Sequence, residues 1–337
     1  MLSNKVPAPL ISVVLPVRNA AKTIERAARS ILQSSFKEIE LIIIDDGSTD
    51  GSAEIIRKII DPRVRLVQQE SEGICAAANR GTLEANAPVI ARMDADDFSY
   101  PLRLEKQFEL LHRTKADIVG CKVKIIDTNG QAVGSMQRYE KWSNSLTKPD
   151  EITAMRFVEL PIVNPTLMAK REVLELDYLK GNWPEDYDLF LRALGQGLQA
   201  EKVEEVLLDW IDSNNRLTRK DPRYSPEAFD RCRRTHLLDG PLKNVKKVNL
   251  WGAGQTGKPW LRWLQDKDFE VSKLIEVSQK KIGSKIHGVP VICPNDLPSP
   301  EGIPLIIAVG ASGARELIKS ELIKKGYIPG KDAWFVC

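Results

Sequence analysis

Residues 39–52 read IELIIIDDGSTDGS, and residues 88–97 read PVIARMDADD. Each is a short, predominantly apolar run, with one charged residue within it, that ends in carboxylates. A run without polar alternation is buried on both faces, as an interior strand of a parallel α/β sheet is. Working outward, residues 11–15 (ISVVL) form another such strand, and residues 64–67 a fourth. Helical patterns lie between them. Ile24, Ala27, Ala28 and Ile31 share one face, with Asn19 placed to cap that helix. Gly51 to Ile60 and residues 73–85 form the next two helices. Strands alternating with amphipathic helices predict a parallel sheet covered on both faces. In such sheets ligands bind outside the carboxyl ends of the strands, and the acidic runs stand there.

Three acidic clusters follow that rule. Asp45-Asp46-Gly47-Ser48-Thr49-Asp50-Gly51-Ser52 reads as a turn and helix cap. It reads equally as a place where a carboxylate accepts hydrogen bonds from a nucleobase edge. Asp94-Ala95-Asp96-Asp97 is harder to explain as a turn. Carboxylates at the end of a buried strand are costly without a positive partner. Mg²⁺ and Mn²⁺ take hard oxygen ligands, commonly one or two carboxylates plus substrate phosphates. The third cluster, Trp183-Pro184-Glu185-Asp186, opens a helix with Tyr187, Phe190, Leu191 and Leu194 on one face. Acids there complement the helix dipole, or supply a general base toward an attacking hydroxyl. Arg92 reaches a phosphate or pairs with an aspartate. Asn79 and Arg80 cap or pair locally on their helix, and Asn79 is also a candidate nucleotide contact.

Taken in order, ISVVLPVRNA, LIIIDDGSTDGS, GICAAANRG, VIARMDADDFSYPLRLEKQ, VNPTLMAKREVL and GNWPEDYDLFLRAL closely resemble glycosyltransferase family 2, the inverting enzymes of the GT-A fold. The resemblance spans roughly residues 10–195. It implies a mixed, mostly parallel sheet with helices on both faces, and a nucleotide-diphosphate-sugar donor. It implies that Pro16 and Val17 line the nucleoside pocket and that Asp46 contacts the base. Asp94 falls to ribose or metal and Asp96 to the metal, Mg²⁺ or Mn²⁺. Asp186 matches the base, with Glu185 beside it. The segment DWIDSNNRLTRKDPRYSPEAF resembles a family stretch in which a tryptophan precedes a basic patch. There Arg216 and Arg219 would hold donor phosphates. Relatives often carry a histidine before that arginine; here the positions are Ile211-Asp212-Ser213-Asn214-Asn215, so no extra metal ligand is expected. The resemblance also implies a glycan or lipid-linked acceptor in polysaccharide or glycan assembly.

The chain has 337 residues, enough for two units. We expect a first domain over 1–220, a helical segment and linker over 221–243, and a smaller Rossmann-like domain over 244–337. In the last, VKKVNLWGAGQTGKPWLRWL is strand, glycine turn and helix. Gly252, Gly254 and Gly257 satisfy a dinucleotide fingerprint, with Glu276 near the place of a ribose-binding acid. Strands follow over 273–278, 289–292 and 304–310. A later helix sets Ala314, Leu317, Ile318 and Leu322 on one face. This domain makes a nucleotide-binding oxidoreductase or a regulatory module the alternative function. Nucleotidyl transfer is a weaker alternative, because PVRNAAKT lacks the glycine-rich loop such enzymes carry.

The formal net charge is +3 with scattered charges, which argues against a nucleic-acid surface. Five dispersed cysteines indicate reduced thiols and a cytoplasmic protein. No stretch approaches the roughly 20 apolar residues of a membrane span, so a membrane-bound acceptor would be met from the inner face. The three histidines lie outside every candidate motif.

Overall fold

The computed structural model describes residues 8–213, 216–311 and 313–337. Asn214 and Asn215, in the stretch where relatives often carry a histidine, lie outside the described residues. The chain divides into two compact units. One comprises Met1–Pro149 and Ile162–Ala228; the other comprises Asp150–Pro161 and Phe229–Cys337.

The first unit is built on an eight-stranded sheet. Its strands are β1 (Ile11–Val17), β2 (Ile39–Asp46), β3 (Val64–Gln69), β4 (Val89–Arg92), β5 (Phe98–Ser99), β6 (Ile118–Asp127), β7 (Met168–Lys170) and β8 (Ala200–Asp212). Their spatial order is β3-β2-β1-β4-β7-β6-β8-β5. The half containing β3, β2, β1 and β4 is parallel throughout, and it is the half whose apolar runs are readable in the sequence. Strand β7 runs antiparallel to both β4 and β6, and β5 antiparallel to β8. The sheet is therefore mixed, and its carboxyl edge gathers strand ends from both halves.

Strand β1 shows why continuous apolarity was needed. Ile11, Val13, Leu15 and Val17 face a core that also holds Ile24, Ala27 and Ile31 of helix Ile24–Leu32 and Leu104 and Leu111 of helix Arg103–Thr114. Each such valine, leucine or isoleucine contributes roughly 1.5–3 kcal/mol by leaving water. Val14 faces the other way, against helix Ile74–Glu84. A Cβ added at Gly81 of that helix would lie 2.1 Å from Val14 Cγ1, so glycine is what lets helix and strand approach.

Two local expectations are corrected. Asn19 does not cap the first helix, whose N-cap is Thr23. Asn19 instead takes φ +53°, and its Oδ1 accepts the Thr49 N–H at 2.8 Å. Asparagine tolerates the left-handed region better than most residues, and here it ties the loop after β1 to the loop after β2. The next helix covers only Ser52–Arg57, and Ile60 is fully exposed. Asp61 precedes Pro62, and a residue before proline is pushed out of the helical region.

The second unit carries a six-stranded sheet of order β11-β12-β10-β9-β13-β14. The strands are β9 (Lys247–Trp251), β10 (Glu270–Ile275), β11 (Lys285–Ile286), β12 (Val289–Ile292), β13 (Leu305–Ile307) and β14 (Ala333–Phe335). All pairings are parallel except β11 with β12. Strand β10 thus starts and ends earlier than 273–278. Residues 150–161 join this unit across a long stretch of sequence: Arg156 Nη1 donates to the Gly330 carbonyl at 3.5 Å. In helix Ala314–Lys324, Ile318 and Leu322 are buried but Leu317 is 75% exposed, so the apolar face is narrower than the spacing predicted. Among the described residues no helix is long and apolar enough to cross a membrane.

Candidate active site

Strand β4 ends at Arg92, and the chain then turns through Asp94, Asp96 and Asp97 before β5. One carboxylate oxygen from each of the three aspartates lies within 4.8 Å of the others. Asp97 is fully buried; its Oδ1 accepts the Ile211 N–H at 2.8 Å, and its Oδ2 has no partner. Burial raises the pKa of Asp96 and drives that of Asp97 well above the usual carboxylate range, and the neighbouring aspartates add to both effects. The strongest charge opposing the shift at both is Arg216. Negative charge here exceeds the positive charge available to it. A convergent set of hard oxygens with one buried oxygen unused fits a divalent cation such as Mg²⁺ or Mn²⁺.

The turn is held from beneath. Arg103, fully buried, donates from Nε to Ser99 Oγ at 2.8 Å and from Nη1 to the Arg92 carbonyl at 3.2 Å. It thereby pins the segment at both ends. Nη1 also donates to the Pro165 carbonyl. From above, Arg26 donates to the Asp96 carbonyl at 2.6 Å.

The second acidic pair opens helix Glu185–Gly195. Glu185 is 3% exposed, and the Tyr224 hydroxyl lies 2.8 and 2.7 Å from its two oxygens. Arg223, itself held by Asp221, stands 4.0 Å away. Burial pushes Glu185 up, and the tyrosine hydrogen bond pulls it back. Asp186 keeps some accessible surface yet lies deep among protein atoms. Its carboxyl is pushed up to about 7, first by burial, then by the charge of Glu185, with Asp94 contributing. The influence of Asp94 means that the two acidic groups share one electrostatic field. Arg92 belongs to the same field. It is 1% exposed, its three guanidinium nitrogens have no hydrogen-bond partner, and it lies 5.3 Å from the centre of the Tyr178 ring.

Other expected positions lie at the same sheet edge but spend their polar atoms on the chain itself. Both Asp46 oxygens are used: they accept from Gln69 Nε2 at 2.8 Å and from the Glu72 and Gly73 N–H groups at 2.9 Å. Asp46 therefore shapes the loop after β3. Asn79 clamps Tyr178 from both sides, donating to its carbonyl at 3.1 Å and accepting its N–H at 2.8 Å. Pro16 and Val17 pair with Ile44 and Asp45 at the end of β1 and are buried. Arg219 is turned onto Asp212.

Three residues escape a reading by strand-end position alone. Asp97 sits in a turn where strand alternation no longer predicts direction. Tyr224 lies 39 positions from the carboxylate it serves. Arg103 looks in sequence like an ordinary helix-surface charge; in the structure it is buried, as is Gln107 one turn on, which donates to the Val119 carbonyl at 2.9 Å.

In the second unit, Gly252 has φ +126° and its Cβ would fall 2.5 Å from the Ala308 carbonyl oxygen, while one at Gly254 would meet nothing within 4 Å. Gly257 would meet the Gly252 carbonyl at 1.9 Å, so the turn is tight. Glu276 is already engaged: Oε2 pairs with Lys281 Nζ at 2.9 Å and Oε1 accepts the Val277 and Ser278 N–H groups.

The sequence model of Glycosyl transferase family 2 matches residues 12–176. The O-antigen biosynthesis glycosyltransferase WbnJ of Escherichia coli is 30% identical over 232 residues, which are 66% of this chain and 85% of that protein. Among solved structures, residues 1–349 of TarS from S. aureus, in complex with UDP-GlcNAc, superimpose with a TM-score of 0.56 at 19% identity, over 69% of this chain and 68% of that one. The mannosyltransferase PcManGT from Pyrobaculum calidifontis, in complex with GDP-Man and Mn²⁺, gives a TM-score of 0.50 at 19% identity, over 78% and 70%. The mixed sheet with its acidic carboxyl edge is thus a GT-A glycosyltransferase fold. The chain belongs to glycosyl transferase family 2.

Proposed function

We propose that this glycosyltransferase moves a sugar from a nucleotide-diphosphate donor to an acceptor hydroxyl with inversion, in the assembly of a surface polysaccharide. The observation that carries the proposal is the convergence of carboxylate oxygens from Asp94, Asp96 and Asp97 within 4.8 Å of one another, with Asp186 in the field of Asp94. Asp94, Asp96 and Asp97 would hold a divalent cation, which when bound neutralises charge on the leaving diphosphate. Asp186, held near neutrality, takes the proton from the acceptor hydroxyl. The oxygen bonds to the anomeric carbon from the face opposite the diphosphate. The bond to the diphosphate breaks with its electron pair going to that group, and no sugar–enzyme bond forms. Glu185, fixed by Tyr224, keeps the proton affinity of Asp186 high. Arg216 and the unpartnered Arg92 are the nearby cations that suit phosphate oxygens. Asp46 acts through the loop it holds.

The polysaccharide setting is supported by the name of the O-antigen relative. The metal is supported by the carboxylate geometry and by the Mn²⁺ in the PcManGT structure. A transferase needs nothing from the C-terminal glycine turn, whose acid Glu276 is committed to Lys281.

The test is a panel of UDP-, GDP- and dTDP-sugars with Mn²⁺ or Mg²⁺, scored by thermal shift and then by transfer. Asp96→Asn should lose metal-dependent stabilisation by the donor, and Asp186→Asn should keep it while losing transfer. Full transfer by Asp186→Asn would remove it as the base.

A further inference from the structure

Arg216 stands where its charge is least expected to remain once a metal arrives. Its Nη2 lies 3.7 Å from Asp94 Oδ2 and its Nη1 lies 3.8 Å from Asp97 Oδ1. Both distances exceed a hydrogen bond, so the attraction is one of charge. What fixes the guanidinium is elsewhere: its Cζ lies over the Trp210 ring, 4.3 Å from the ring centre, and Nη1 donates to the Ile211 carbonyl at 2.9 Å. The side chain is only 8% exposed. Strand β8 therefore supplies an aromatic shelf that presents a delocalised cation to the carboxylate cluster. Asp97 Oδ2, buried and unpartnered, is left over even so. One monovalent cation at ion-pair distance only partly neutralises three carboxylates.

We propose that Arg216 is an internal counter-cation. It neutralises Asp94 and Asp97 in the donor-free protein, competes there with a divalent ion, and passes to the donor diphosphate when ion and donor bind together. The inference rests on the metal-site reading above and adds regulation of that site. It makes metal and nucleotide binding mutually reinforcing, because the diphosphate draws the guanidinium off the carboxylates the ion needs, and the ion displaces it toward the phosphates. It also gives a reason for arginine at this place: the planar, weakly hydrated guanidinium stacks on Trp210 and later meets phosphate oxygens in a fork, which an ammonium does not.

The experiment is a Mn²⁺ titration of the donor-free full chain, followed by electron paramagnetic resonance of free Mn²⁺, and repeated with saturating UDP or GDP. Wild type, Arg216→Gln, Arg216→Lys and Asp96→Asn are compared, with circular dichroism to verify folding. Removing a positive charge about 4 Å from two ligands should tighten donor-free Mn²⁺ binding by about tenfold or more. The strengthening of Mn²⁺ binding by nucleotide should shrink by a similar factor. Arg216→Lys, which keeps the charge, should stay near wild type without nucleotide. A folded Arg216→Gln protein with unchanged or weaker donor-free Mn²⁺ affinity overturns the proposal. Should wild type bind Mn²⁺ in an Asp96-dependent way while Arg216→Gln changes nothing, this inference alone fails. Should no variant bind Mn²⁺ even with nucleotide, the metal reading fails with it.

Discussion

Asp186→Asn should abolish transfer and stabilise the fold, and the gain should grow with pH. The folded carboxyl is pushed up to about 7 against an ordinary value of 3.8, chiefly by burial and then by Glu185. Folding therefore favours the protonated form. Its contribution to stability is fully present below about pH 4 and is lost as pH rises toward and through 7. At 1.36 kcal/mol per pH unit, the full loss reaches roughly 4 kcal/mol at pH 8. This is an upper figure, because the side chain retains some contact with water. About 1.7 kcal/mol of it is already lost at pH 5, which leaves roughly 1–3 kcal/mol for the interval from pH 5 to 8. Asparagine has nearly the same shape and no charge to bury. The stability difference between variant and wild type should thus widen by that amount across the interval and flatten above pH 7. For a unit of this size that is roughly 2–12 °C in Tm. The assay is chemical or thermal unfolding of both proteins in chelator at pH 5, 6, 7 and 8. A difference that is flat with pH, or that narrows as pH rises, would refute the assignment of a buried, proton-holding carboxyl at this position.

Two further outcomes follow from the same geometry. Glu185→Gln removes a negative charge beside Asp186 while an amide oxygen can still accept from Tyr224; the acid limb of the pH–kcat/KM profile should fall by on the order of one unit, and a limb that stays or rises would show that Glu185 does not set the base. Gly81→Ala forces a methyl to within 2.1 Å of Val14 Cγ1, so helix Ile74–Glu84 must move off β1; denaturant unfolding should show a loss of about 1–3 kcal/mol, and an unchanged midpoint would mean that this face is loosely packed.

The sequence alone determined a great deal, because some of its signals are one-dimensional. A buried parallel strand is mostly apolar without alternation, so ISVVL, IELIII and PVIAR, each with a single polar residue, declare both themselves and their ends. Ligand sites in such sheets lie at those ends, which made Asp94 and Asp96 legible as a candidate site, while Asp186, at the start of a helix, was joined to them by the resemblance to the family. Gly252 and Gly257 of the second unit were legible for a similar reason, since the tight strand-to-helix turn leaves no room for a Cβ at either, while Gly254 has space for one.

What only the tertiary structure decided is who partners whom. Asp45 and Asp46 are adjacent and alike in sequence, yet Asp45 accepts from the Ser48 N–H and Gln68 while Asp46 accepts from Gln69 and the Glu72 and Gly73 N–H groups. Arg216 and Arg219 are three positions apart, yet one faces the carboxylate cluster and the other turns to Asp212. Strand β7, three residues long and antiparallel, leaves almost no pattern, although it separates the two parallel parts of the sheet. Tyr224 reaches Glu185 across 39 positions. Periodicity records how each residue meets the core. Charge pairing and proton affinity depend on distances between segments far apart in the chain, and those distances exist only once the sheet has closed.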